Sequence, residues 1–226
     1  AASDVFKRQV AALNHGISLN EGQENAAGLV LSSRDRTVAI QGIAGAGKSS
    51  VMKPVAQLLR EEGKQVLGLA VQNTLVQMLE RDTGIRSMTI ARFLAQWGRL
   101  LHEPGNATLL REARSALGDH VLVLDEASMV SNEDKAKLVR LANLAEVQRL
   151  VLVGDKRQLA AVDAGKPFDL VQQAGIERAN MDANGGTMCT GTLLNKVGTS
   201  SYFGAGGVRE SVLAYPTLTN VLNFDL

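Results

Sequence analysis

Apolar positions along the chain follow two alternating rhythms. Apolar residues every three or four positions suit one face of a helix, and short unbroken apolar runs suit strands buried on both faces. Helical spacing marks residues 3–15 (Val5, Val10, Ala11 and Leu13, stopped by Gly16), 19–33 with Asn20 as N-cap, and 48–62 (Val51, Val55, Leu58, Leu59). It returns at 74–82, 89–101 (Ile90, Phe93, Leu94, Trp97, Leu101), 107–117 and 132–145. Strand-like runs occupy 37–41, 65–70, 120–125 and 149–155. Strands alternating with helices predict an α/β fold, a mainly parallel sheet with helices on both faces.

The pattern fades after Asp182. Residues 183–226 hold seven glycines and four charged residues, Lys196, Arg209, Glu210 and Asp225, among Ser, Thr and Asn. The expected organisation is one lobe over 1–182, opened by an N-terminal helix within 1–17, and a C-terminal appendage over 183–226. The appendage suits a small β unit, a segment pairing with the sheet edge, or a poorly ordered tail.

Composition narrows the class. The chain has 226 residues, 45% hydrophobic and 21% charged, enough to bury a full core. That excludes a disordered tail, a fibrous repeat and a disulfide-stapled miniprotein. With 24 basic and 23 acidic residues, bulk charge does not announce nucleic acid. No 18-residue apolar run is present, and AASDVFKRQV at the N-terminus lacks the form of a signal peptide, so neither membrane insertion nor secretion is expected. The single Cys189 rules out an internal disulfide and fits a reducing cytoplasm.

Three motifs carry chemistry. Gly42-Ile43-Ala44-Gly45-Ala46-Gly47-Lys48-Ser49 matches G-x-x-x-x-G-K-[ST] between a strand and a helix. Glycines there let backbone N–H groups converge on a phosphate, and the helix N-terminus adds the positive end of its dipole. Gly42, Gly45, Ala46, Gly47, Lys48, Ser49 and Ser50 are the candidate nucleotide contacts, with Lys48 for the β- and γ-phosphates and Ser49 for Mg2+. Asp125 and Glu126 end the buried run 121–124, where ligands of open α/β sheets bind. Asp125 suits Mg2+ through water, and Glu126 suits polarising the water that attacks the γ-phosphate. The competing reading of that pair is a solvated turn capping the next helix. The third run ends in Gly154-Asp155-Lys156-Arg157-Gln158-Leu159, where the Gln158 carboxamide can bond both the γ-phosphate and the attacking water. Lys156 and Arg157 suit DNA phosphates and a solvated basic turn equally.

With GIAGAGKSS, VLVLDEASMV and LVLVGDKRQL in that order, residues 18–182 resemble superfamily 1 DNA helicases of the RecD-like branch. The similarity is closest to the helicase portion of conjugative relaxases of the TraI/TrwC type. Leu19-Asn20-Glu21-Gly22-Gln23 looks like the family's Q motif, which implies that Gln23 reads adenine. Leu79–Ile85 with Thr89–Leu94 looks like the segment after motif Ia, and Ala164–Phe168 like the sequel to motif III. The resemblance implies a RecA-like P-loop NTPase lobe, ATP and Mg2+ as ligands, and hydrolysis driven by Lys48, Asp125, Glu126 and Gln158. It also implies single-stranded DNA, the rest of a relaxase–helicase polypeptide and a type IV secretion coupling protein as partners, in the bacterial cytoplasm.

Three departures shape the expectation. Motif Ia usually carries a Pro-Thr pair; here Ala70-Val71-Gln72-Asn73-Thr74 stands instead. Met181-Asp182 looks like the start of a further motif, yet GGTMCTGT replaces its arginine. The second lobe, source of an arginine finger, is absent. The expected protein is therefore a fragment of an ATPase and DNA helicase, weak or inactive alone. The alternative is a vestigial helicase-fold module that binds single-stranded DNA or the secretion machinery. A small kinase is a third reading, but it leaves GDKRQL without a role.

Other residues read blandly. His15, His102 and His120 lack metal-ligand spacing, and Cys189 has no neighbouring His or Cys. Phe93 and Trp97 could stack on bases, but their stripe with Ile90, Leu94 and Leu101 favours the core. Arg81, Arg86 and Arg92 flank the family's DNA-contacting segment, with a solvated face as the competing reading.

Overall fold

The computed structural model describes residues 19–42, 46–155, 178–181 and 188–189, the last two stretches for their backbone alone. The elements in chain order are α1 (Glu21–Ser32), β1 (Thr37–Gly42), α2 (Lys48–Glu61), β2 (Gln65–Ala70) and α3 (Asn73–Thr83). Then come β3 (Ser87–Thr89), α4 (Ile90–Trp97), α5 (Arg99–His102), α6 (Ala107–Leu117) and β4 (His120–Leu124). A 3-10 turn (Ala127–Met129) leads to α7 (Asn132–Leu144), β5 (Arg149–Gly154), β6 (Arg178–Met181) and β7 (Met188–Cys189).

One sheet runs β3-β2-β4-β5-β1-β6-β7. Every pair is parallel except β6–β7, which is antiparallel. The expected fold class, an α/β sheet with helices on both faces, is the one observed.

The apolar runs work because each strand is covered twice. Val38, Ile40, Val121, Val123, Val151 and Val153 point to the face covered by α1 and α2. Leu122, Leu124, Leu150 and Leu152 point to the other, against α4, α5, α6 and α7. One face is thus packed with valine and isoleucine and the other with leucine. Phe93 is 1% exposed in the leucine-rich core, and Trp97 packs against it, as the stripe reading required.

Helix α1 opens with a capping box. The Gln23 N–H donates to Asn20 Oδ1 at 2.9 Å, and the Asn20 N–H donates to Gln23 Oε1 at 3.1 Å. Its far end is tied to the sheet by the Arg149 guanidinium, which donates to the carbonyls of Leu29, Val30 and Ser33. The helix carrying Gln23 is therefore fixed at both ends.

The structure corrects the helix expected over 89–101. Ser87–Thr89 forms a strand, and Thr89 caps α4 by accepting from the Arg92 N–H. At Gly98 a Cβ would lie 2.5 Å from the Leu94 carbonyl oxygen, so glycine lets the chain tighten there. The Leu101 N–H then donates to Gly98 O at 2.9 Å, and α5 begins anew. Strand β6, alongside β1, was also not expected from the pattern. The expected helix within 1–17 lies outside the described residues, as does the appendage 183–226 apart from Met188–Cys189.

Candidate nucleotide-binding site

The order β4-β5-β1 brings the carboxyl ends of three buried strands side by side. Asp125 and Glu126 follow β4, Gly154 and Asp155 close β5, and Gly42 closes β1. Backbone polar groups freed at strand ends and a helix N-terminus meet at this edge, the place where open α/β sheets hold ligands.

Gly47 is the N-cap of α2, with φ 75 and ψ 33, a left-handed conformation that favours glycine. Among the described residues no side chain caps this helix, and its first turn carries no acidic residue. The N–H groups of that turn are thus left for an outside acceptor, and the dipole is uncompensated. Ala46 is buried, Lys48 half-buried, and Ser49 and Ser50 exposed. Gly45 lies outside the described residues.

Lys48 Nζ donates to Glu126 Oε1 at 3.0 Å, with the two side chains 15% and 19% exposed. The P-loop lysine and the strand-end acid, 78 residues apart, are thus in direct contact. Glu126 itself has φ 47 and ψ 45. Left-handed backbone at a side chain other than glycine costs on the order of 1–3 kcal/mol and concentrates at functional positions. Its Oε2 is buried without a hydrogen-bond partner among the described residues. The Glu126 N–H donates to Asp125 Oδ1 at 2.9 Å. Burial pushes the Asp125 carboxyl above its usual range and the Glu126 charge adds to the rise, while Lys48 and the Glu126 N–H oppose it.

Gln23, expected at adenine, lies against the phosphate loop, where its Nε2 donates to Ala46 O at 2.9 Å. Asn73 and Thr74 open α3 beyond Gln72, all three exposed, and among the described residues no side chain caps that helix. Arg86 and Arg92 are exposed, while Arg81 pairs with Asp82 at 2.8 Å. His102 is exposed, and partial burial lowers the His120 pKa. Gln158, Lys156, Arg157 and residues 164–168 fall outside the described residues.

Two features escaped the sequence reading. Gln41 Nε2 donates to Asp155 Oδ1 at 3.0 Å, a buried bond joining the roots of two site loops. The signal was a polar residue inside an apolar strand. Lys135 is 1% exposed, its Nζ has no hydrogen-bond partner among the described residues, and burial lowers its pKa to about 7. The helical spacing of 132–145 already put it on the core face with Leu138, Val139 and Ala142.

A family model described as an AAA domain matches residues 18–184. The chain belongs to the AAA domain family. This AAA domain is 34% identical over 159 residues to a probable conjugal transfer protein TraA of Sinorhizobium fredii, covering 70% of the chain and 13% of that protein. It is 34% identical over 161 residues to the multifunctional conjugation protein TraI of Escherichia coli, covering 68% of the chain and 8% of that protein. Against the ATP-dependent RecD2 DNA helicase of Deinococcus radiodurans, identity is 33% over 156 residues, 67% of the chain and 20% of the helicase. The chain thus spans about a tenth of the conjugation proteins it matches. The solved Pif1 helicase of Candida albicans shares the fold, with a TM-score of 0.53 and 24% identity over 74% of this chain and 40% of that one. The AAA domain is a nucleotide-binding P-loop lobe similar to parts of these conjugation proteins and of the RecD2 DNA helicase, in line with the RecD-like superfamily 1 motifs that it carries. Among the described residues, no helix is long and apolar enough to cross a membrane.

Proposed function

We propose that this domain is the ATP-binding lobe of an ATP-dependent single-stranded-DNA translocase within a bacterial conjugative relaxase, working in the cytoplasm beside a second lobe. The observation that carries this reading is the 3.0 Å contact between Lys48 and Glu126. It joins a P-loop lysine to the acid positioned to act on water.

Each residue then has a task. The uncapped first turn of α2 and the left-handed Gly47 receive phosphate oxygens, and Lys48 moves from Glu126 onto the β- and γ-phosphates. Glu126, released from Lys48, accepts a proton from the attacking water, and its strained backbone holds the carboxylate in the pocket. The donor set suits Mg2+: an exposed hydroxyl at Ser49 and the half-buried Asp125 carboxyl are both oxygen ligands of the hard kind it prefers. When bound there by Ser49 and Asp125, Mg2+ would neutralise phosphate charge. Gln158 would report the γ-phosphate to the rest of the protein.

Single-stranded DNA would cross the same sheet edge, where Gln72, Asn73 and Thr74 at the start of α3 and Arg92 on α4 offer exposed donors. A type IV secretion coupling protein is the further partner that the motif resemblance implies. The test is single-stranded DNA binding by a protein carrying both lobes, with and without Asn73→Ala/Thr74→Ala. Weaker binding in the variant with an unchanged salt dependence, as both side chains are neutral, supports the path. Unchanged binding removes it.

A further inference from the structure

We infer that Gln23 is a positioning residue for the phosphate loop, holding the Ala46–Gly47 turn in its phosphate-accepting shape whether or not a base is bound. The inference rests on the nucleotide-site reading above and goes beyond the adenine contact that the Q motif implies.

The geometry builds the brace from both sides. On α1, the capping box fixes the Gln23 backbone through Asn20 Oδ1 and fixes its side chain through the Asn20 N–H, at 2.9 and 3.1 Å. With Oε1 held, the carboxamide can present Nε2 in one direction, and there it meets Ala46 O at 2.9 Å, 23 residues away. On the loop, Gly47 leaves the space this approach needs: a Cβ there would stand 2.4 Å from Gln23 Nε2. Gly47 is therefore required twice, for its φ of +75 and for the approach of Gln23. Ala46 and Gly47 immediately precede Lys48, so a carbonyl fixed at Ala46 fixes the direction in which the first N–H groups of α2 point. Arg149 anchors the other end of α1, so the brace pushes against the sheet rather than against a loose helix.

A carboxamide nitrogen carries two hydrogens and its oxygen two lone pairs. Each Gln23 atom thus keeps one site for a base edge. The two roles are compatible but separable with a ligand that has no base.

The test is calorimetric titration of this chain with Mg·ATP and with Mg·tripolyphosphate, for the wild type, Gln23→Met and Gln23→Glu. Loss of one hydrogen bond is expected to weaken both ligands alike, by up to about tenfold. Gln23→Glu keeps the capping box and puts an oxygen against Ala46 O, so it covers the case in which Gln23→Met fails to fold. The amide resonances of Gly47 and Lys48 should move in the ligand-free variants while those of Val123 and Leu152 stay. Weakened Mg·ATP with unchanged Mg·tripolyphosphate would assign Gln23 to the base alone and overturn the inference. Resonance shifts spread over the whole sheet would overturn it too, as the mark of a general structural role. A wild type that binds neither ligand overturns the nucleotide-site reading itself.

Discussion

Glu126 carries two costs at once, a left-handed backbone and a buried carboxylate oxygen with no hydrogen-bond partner among the described residues. Both make sense if the side chain is aimed at a reacting water. Glu126→Gln keeps the shape and removes the base, so nucleotide affinity should stay within about twofold while hydrolysis, in a protein carrying the second lobe, falls by about 10²-fold or more. Steady-state phosphate release measures this, and an unchanged rate would falsify the role given to the glutamate. Lys135 gives a pH dependence whose sign can be worked out. Burial lowers its folded pKa to about 7, below the unfolded value near 10.5. Between those values the unfolded chain holds the proton and the folded one does not, so stability rises with pH from about 7 upward. Below about pH 7 the penalty is fully present. Between pH 7 and 9 the gain should reach about 2 kcal/mol, read from urea midpoints. Lys135→Met should be more stable at pH 7 and lose most of that slope; an equal slope in both proteins would contradict the assignment.

At the scale of elements, the long buried runs were legible because nothing else in the chain resembles them: 65–70, 120–125 and 149–155 all became strands within a residue of the expected ends. Strand β3 was not, because its three residues are only half-buried and carry no apolar run. The break at Gly98 was hidden by a stripe that continues in register through Leu101, while what permits it is local, the lack of a Cβ that would crowd the Leu94 carbonyl. A second close approach tests the same logic. At Gly68 on β2 a Cβ would lie 2.2 Å from Ser87 Oγ and 2.7 Å from Leu79 Cδ2. Gly68→Ala should therefore push β3 and α3 outward and cost about 1–3 kcal/mol in urea unfolding, the range for overpacking a tight interior. A variant as stable as the wild type would mean that Ser87 and Leu79 shift freely.

For the molecule as a whole, the chemistry was legible where it is contiguous in the chain. The P-loop and the Asp125-Glu126 pair are short runs of diagnostic residues at a strand end. The motifs already put Lys48 and Glu126 at one γ-phosphate, but their direct ion pair was not legible, because it depends on the strand order β4-β5-β1. The same holds for Gln23 on Ala46 and for Gln41 on Asp155, each a single hydrogen bond between distant stretches. The central claim is that these pieces form a live nucleotide pocket in this domain. The most direct test is titration of the chain with a fluorescent ATP analogue and Mg2+, beside Lys48→Ala. Saturable binding that weakens about tenfold or more in the variant is the expected result. Equal binding by both proteins, or none by either, would contradict it.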